Sequence, residues 1–140
     1  MPESTPGIEN RAVLRRVHRN QFDPARDPPI MRGAFNPGPD DTDGLSVYLE
    51  GDGGCTAEQL SQSGRKPGEY YIVRFSIAEL LALGISVRST PQFDPDLPGH
   101  CSLPELSVEF KQQKPENVRE MQKSLLILAT GRIVLSPTVS

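Results

Sequence analysis

The chain has 140 residues, 36% of them hydrophobic, with 15 Lys and Arg against 18 Asp and Glu for a formal charge of −3 at pH 7. That length suits one core, and the near-balanced charge supplies no net field to draw the molecule onto nucleic acid or an anionic membrane. Fourteen prolines, twelve glycines and no tryptophan predict a modest Leu/Val/Ile core and much loop, while two cysteines exclude a disulfide scaffold.

Met1–Asn10, with Pro2, Ser4, Thr5, Pro6 and Gly7, buries too little to offset the entropy of ordering and is expected to be a disordered tail. It opens on no apolar h-region, and the longest apolar run, Leu125–Ala129, falls far short of the roughly 20 residues of a membrane span. A soluble, cytoplasmic protein is expected, with Cys55 and Cys101 as free thiols. Residues 11–140 then read as one domain. Arg11–His18 is the first strand, with Val13, Leu14 and Val17 apolar in imperfect alternation; its basic residues read first as the solvated face of a half-buried strand. From Gln21 to Gly44 runs a long irregular segment with Asp23-Pro24, Asp27-Pro28-Pro29, Asn36-Pro37-Gly38-Pro39 and the acids Asp40, Asp41 and Asp43. Loops of this length are often binding segments, pinned here by Ile30, Met31, Ala34 and Phe35.

Leu45–Glu50 alternates as a half-buried strand. Thr56-Ala57-Glu58-Gln59 has the form of a capping box and opens a short helix that Ser63–Gly68 breaks. Glu69–Phe75 is a strand leading into a second capping box, Ser76 to Glu79, and a helix over Ile77–Leu83 that ends at Gly84. Ile85–Arg88 reads as a strand, and Pro91–Gly99 as a loop. His100–Phe110 reads as an edge strand or two short pieces interrupted by Pro104. The longest helix begins near Pro115, buries Val118, Met121, Leu125 and Leu128, and stops at Gly131 before a last strand over Arg132–Leu135. Strands and short helices without a regular βαβ rhythm predict an α+β fold: a mixed, twisted sheet with two short helices and a longer C-terminal one.

None of the nucleotide-loop, zinc-protease, nucleophile-elbow or calcium-loop motifs is present. With His18 and His100 as the only histidines, a metal site would have to recruit Asp94, Asp96 or the Asp40/Asp41/Asp43 run, and aspartates in such loops read first as turn formers. No metal is expected. His100 and Cys101 are neighbours on a strand and point to opposite faces, so they make no thiol–base pair; Cys55 with His18 is the other pairing left open. Asp40, Asp41, Asp43, Glu50 and Asp52 include possible paired carboxylates, against the commoner reading as exposed acidic turns.

Two resemblances emerge from these segments. Leu14-Arg15-Arg16-Val17-His18, Gly33-Ala34-Phe35, Asp43-Gly44-Leu45-Ser46-Val47-Tyr48 and Thr56-Ala57-Glu58, with Ser76–Gly84 and Leu97-Pro98-Gly99-His100, resemble a group of small uncharacterised bacterial proteins encoded in defence or conflict operons. That resemblance implies a setting and no reaction. Val13–Glu58 is also similar to the opening of RES-domain toxins, which have an ADP-ribosyltransferase-like fold and degrade NAD. It implies that Arg15 or Arg16 holds the dinucleotide phosphates, Asn36-Pro37 falls on the loop, Tyr48 stacks near the nicotinamide, and Glu58 stabilises the cationic sugar. Ala34-Phe35 departs from the residues expected before Asn-Pro there, and Ser102 is the candidate for the later serine.

The leading functional expectation is a non-enzymatic adaptor that binds another protein of its operon through Phe22, Ile30, Met31, Phe35 and Phe93 on its long loops, with no cofactor. The second is an NAD-processing or degenerate ADP-ribosyltransferase-like domain using Arg15 or Arg16, Tyr48 and Glu58. Nucleic-acid binding through Arg11–Arg19 and Arg65-Lys66 ranks third.

Overall fold

Strand β1 (Ala12–His18) carries apolar residues on both faces: Val13 and Val17 belong to one hydrophobic cluster and Leu14 to another. Burial on two sides is what breaks the alternation in sequence and seats β1 inside the sheet. Arg15 and Arg16 consequently leave it in opposite directions. The computed structural model describes residues 5, 7–39 and 41–138. β2 (Leu45–Leu49) and β3 (Tyr70–Ser76) flank β1, with Leu14 opposite Tyr48 and Arg16 opposite Ile72. β4 (Arg88–Ser89), β5 (His100–Leu103) and β6 (Ile133–Leu135) complete a sheet of order β4-β5-β2-β1-β3-β6.

The α+β class is observed. Its strand pairs are all antiparallel, where the sequence suggested a mixed sheet. Helices α1 (Ala57–Ser61) and α2 (Ile77–Ala82) have only five and six residues, too short to carry the chain back along a strand as a parallel crossover requires. Both start in the expected capping boxes, closed by Thr56 with Gln59 and by Ser76 with Glu79. After α2, Gly84 takes φ +80°, a conformation open to glycine without steric cost. α4 (Pro115–Thr130) buries Val118, Leu125, Leu126 and Ala129, with Met121 and Leu128 half-buried beside them.

α2, α4 and a 3-10 turn over Arg32–Phe35 cover the face of Val13, Val17, Val47, Val73 and Phe75 and form the main core. On the other face, Leu60 and Ala57 of α1 pack with Leu14, Tyr48, Tyr70, Ile72 and Cys55 in a smaller cluster. Among the described residues no helix is long and apolar enough to cross a membrane.

Three local expectations change. Only His100–Leu103 of the 100–110 segment is strand; Pro104–Leu106 is a 3-10 turn, and Ser107 accepts from Phe110 N at 3.1 Å to cap a third short helix, α3 (Val108–Gln113). Ile85 and Val87 are buried outside any strand. The Glu105 carboxyl takes the Ser86 N–H at 2.7 Å and the Ser86 hydroxyl at 2.9 Å, so a ladder partner is replaced by a side chain. The expected tail is partly docked: Thr5 N donates to Val87 O at 2.9 Å and Ile8 packs on the main core, while Met1–Ser4 and Pro6 lie outside the described residues.

Glu105→Ala leaves the buried Ser86 amide without that acceptor, so denaturant unfolding should show a loss of about 1–3 kcal/mol, with Glu105→Gln intermediate.

Candidate functional site

The long segment before β2 is tied to the sheet from beneath. Arg15 donates from Nε and Nη2 to Ala34 O at 3.1 and 2.7 Å and from Nη1 to Ser46 O at 2.7 Å, with its guanidinium 5.8 Å from the Phe35 ring centroid. Burial pulls the Arg15 pKa down to about 10, opposed by the charge of Asp41. Gln122 of α4 binds the next carbonyl, Phe35 O, at 3.0 Å. These anchors bring Asp41–Gly44 to the start of β2. There Gly44, at φ +124°, lies so close to β5 that a Cβ would stand 2.0 Å from Leu103 O. Glycine is required.

Beside this loop, on the face opposite the main core, β2 and β5 pair Ser46 with Ser102 and Tyr48 with His100. A cavity of about 240 Å³ opens there, lined by Asp41, Thr42, Asp43 and Gly44 on one side and by Ser46, Ser102, His100 and Phe93 on the other. The floor is a polar chain. His100 Nδ1 lies 3.1 Å from Thr90 O and 2.9 Å from Thr90 Oγ1, Nε2 lies 3.0 Å from Ser46 Oγ, and Thr90 Oγ1 lies 2.9 Å from Ser102 Oγ. A carbonyl only accepts, so the bond to Thr90 O assigns the proton to Nδ1. Nε2 then carries the lone pair, and the Ser46 hydroxyl donates to it.

Tyr48 and Phe93 stand edge-on to the imidazole, at centroid distances of 5.2 and 5.9 Å. The Tyr48 hydroxyl donates to Asp94 Oδ2 at 2.6 Å. Burial, then that bond, pushes the Tyr48 pKa up. At Asp94 burial acts upward, but the bonds from Tyr48 and from the Leu97 and Asp96 amides outweigh it and leave the pKa lowered. Burial lowers His100, against the bond to Thr90 and the charges of Asp94 and Asp41, which favour its protonated form.

The NAD-binding set expected from the toxin resemblance is only partly assembled. Arg16 and Tyr48 do meet: Arg16 lies 5.3 and 5.6 Å from the ring centroids of Tyr48 and Tyr70 and donates to Ser63 Oγ at 2.6 Å. Arg15 is on the opposite face, held by backbone carbonyls, and Glu58 is exposed on α1 with no bond to either arginine. In the basic run, Arg11 binds Glu50 O and Asp52 O and Arg19 pairs with Glu69, while Arg15 and Arg16 lie on opposite faces of β1.

Of the residues expected to contact a partner, Ile30 and Phe35 are buried at 1% and 0% exposure: Ile30 pairs with Phe22, and Arg15 and Gln122 hold the carbonyls of Ala34 and Phe35. Phe22 stacks on Tyr71 at 4.1 Å, and Met31 is half-buried with its amide bonded to Gln21 O. Phe93, 51% exposed, remains on the surface, at the cavity. Cys55 and Cys101 are free and buried, their pKa values pushed up to about 11 chiefly by desolvation, and His18 is engaged by Glu69 at 3.1 Å. Glu50 is spent on Arg74 in a two-bond pair, and Asp40 lies outside the described residues. Among the described residues no three His, Cys, Asp or Glu side chains converge as a metal site. Sequence reasoning missed Ser46 and Thr90; the signal for Ser46 was its position on the polar face of a strand that pairs with the His100 strand.

A histidine whose pKa falls on folding binds fewer protons in the native state. Stability therefore rises with pH toward and through the ordinary value of 6.5 and is lost as pH drops below it. Thermal melts from pH 7.5 to 5 should show this loss, and His100→Gln should flatten it.

Comparison of the chain with protein-family models, with curated proteins and with solved structures finds no match, so the reading of this site rests on its own chemistry.

Proposed function

We propose that the protein is a recognition domain for a small polar ligand, neutral or cationic, bound between the Asp41–Gly44 loop and the β2/β5 face. The observation that carries this is the convergence of three hydroxyl-bearing residues, one imidazole and two carboxylates on one cavity with an exposed aromatic ring at its edge. A few convergent polar groups beside an aromatic wall are the usual make-up of a ligand site. The sign of the charge selects the ligand. Asp41 and Asp43 line the cavity and no described lining residue is Lys or Arg, so a pyrophosphate would meet repulsion without compensation. The chain has two histidines, so a His18→Gln variant assigns the His100 imidazole signals by NMR. Titration with adenosine, glucose or agmatine should move those signals, while inorganic pyrophosphate and NAD should not. Response to the anions, or to none of the three other probes, overturns the reading.

The adaptor reading draws on a different feature. Ile127 of α4 is 74% exposed and Leu81 of α2 39%, beside an apolar groove between these helices that also involves Ala82, Leu83 and Leu128. Exposed apolar clusters of this kind mark protein contacts. Co-expression with the products of neighbouring genes should then yield a stoichiometric complex that Ile127→Asp abolishes without lowering the melting temperature; a wild-type chain that elutes alone counts against it.

A further inference from the structure

We propose that Ser46 is a nucleophile for acyl transfer, with His100 as its base, an inference that rests on the cavity admitting a ligand. Three observations carry it. The Ser46 hydroxyl lies 3.0 Å from His100 Nε2, within the reach that proton transfer requires. The bond between Nδ1 and Thr90 O leaves Nε2 unprotonated and orients the ring, the part a carboxylate plays in a nucleophile–base–orienter set. Ser46 is half-buried and lines the cavity, so its oxygen borders space in which an electrophile can sit. A hydroxyl serving only to satisfy a buried histidine would not need that access.

The step balances within these groups. Ser46 Oγ attacks the carbonyl carbon of an ester, the Oγ–C bond forms, and the Oγ proton passes to His100 Nε2. Collapse of the tetrahedral adduct breaks the bond to the alkoxide, which takes the proton from Nε2 and leaves as an alcohol. Water, deprotonated by the same nitrogen, then attacks the acyl-serine, releasing the acid and restoring Ser46 and neutral His100. The carboxylates of Asp41 and Asp43 disfavour an anionic ester, so the substrate class is neutral or cationic. The imidazole is faced by Asp41 and Asp43 from the loop, Tyr48 from β2, Arg16 from β1 and Asp94 after β4, with Arg88 of β4 opposite Ser102.

The test treats the full chain with an alkyl fluorophosphonate and separately with p-nitrophenyl acetate, both uncharged, and maps adducts by peptide mass spectrometry. Attack on the fluorophosphonate forms Oγ–P and expels fluoride. The expected result is one adduct, on Ser46, absent in Ser46→Ala and formed at least about 100-fold more slowly in His100→Gln. In the unaltered chain its rate should fall as acid protonates His100, a readout that needs no variant to fold. No adduct from either reagent, an adduct elsewhere, or a rate indifferent to both pH and His100→Gln overturns the proposal. Probe-induced movement of the His100 signals without an adduct refutes the nucleophile and leaves ligand recognition standing; absence of both removes both.

Discussion

Beyond the pair Leu14–Tyr48 no further ladder residues join β1 to β2, and the guanidinium of Arg15 fills the gap. It bonds the carbonyl of Ser46 on one side and that of Ala34 on the other, so one half-buried cation fastens two strands and a long loop at a single point. Desolvating a guanidinium is costly, and it is tolerated here because three hydrogen bonds, two of them at 2.7 Å, the Phe35 ring and the Asp41 charge compensate it. The consequences spread outward. With Ala34 held, Phe35 enters the core and its carbonyl meets Gln122, and the chain runs on to the aspartates that wall the cavity.

The two faces of the sheet differ in chemistry, one apolar and covered, the other polar and part open. The face of Val13, Val47, Val73 and Phe75 is apolar and covered by α2 and α4, whose contacts supply the burial that a chain of modest hydrophobic content needs. The other face receives only the short α1, and where α1 stops, hydroxyls, an imidazole and a phenol take over. Every buried side-chain polar atom among the described residues has a partner, so the polar half is a satisfied network. Such a network holds His100 in one tautomer and one orientation, a prerequisite for either recognition or proton transfer.

Local chemistry was legible where a single turn of chain decides it. Both capping boxes, the stop at Gly84, the proline start of α4 and the existence of β2 appear as read, because each depends on residues within four or five positions, whereas Tyr48, on the expected solvated face of β2, is buried in the second cluster. Reading failed where a distant side chain intervened. Ile85–Arg88 has strand composition, yet the Glu105 carboxyl, 19 residues on, claims the Ser86 amide. Ile30 and Phe35 pin their loop to the core as read, and the same burial, fixed around Phe35 by carbonyl bonds from Arg15 and Gln122, takes them off the contact surface also expected of them. Arg15 and Arg16 looked equivalent as phosphate ligands, and the strand's two-residue period sends one beneath the sheet and the other between two tyrosine rings.

By itself the sequence determined the class of the fold, the positions of most elements and the absence of the common catalytic motifs, since periodicity, capping and turn residues act over short range. Only the tertiary structure decided where chemistry gathers. Ser46, Thr90 and His100 are ordinary residues in ordinary segments, and antiparallel pairing of β2 with β5, together with the closure of β4 onto β5, sets Ser46 and Thr90 within 3.1 Å of the two ring nitrogens of His100. Contacts among residues separated by 10 and 54 positions follow from strand register, and register is settled by which faces the whole domain buries.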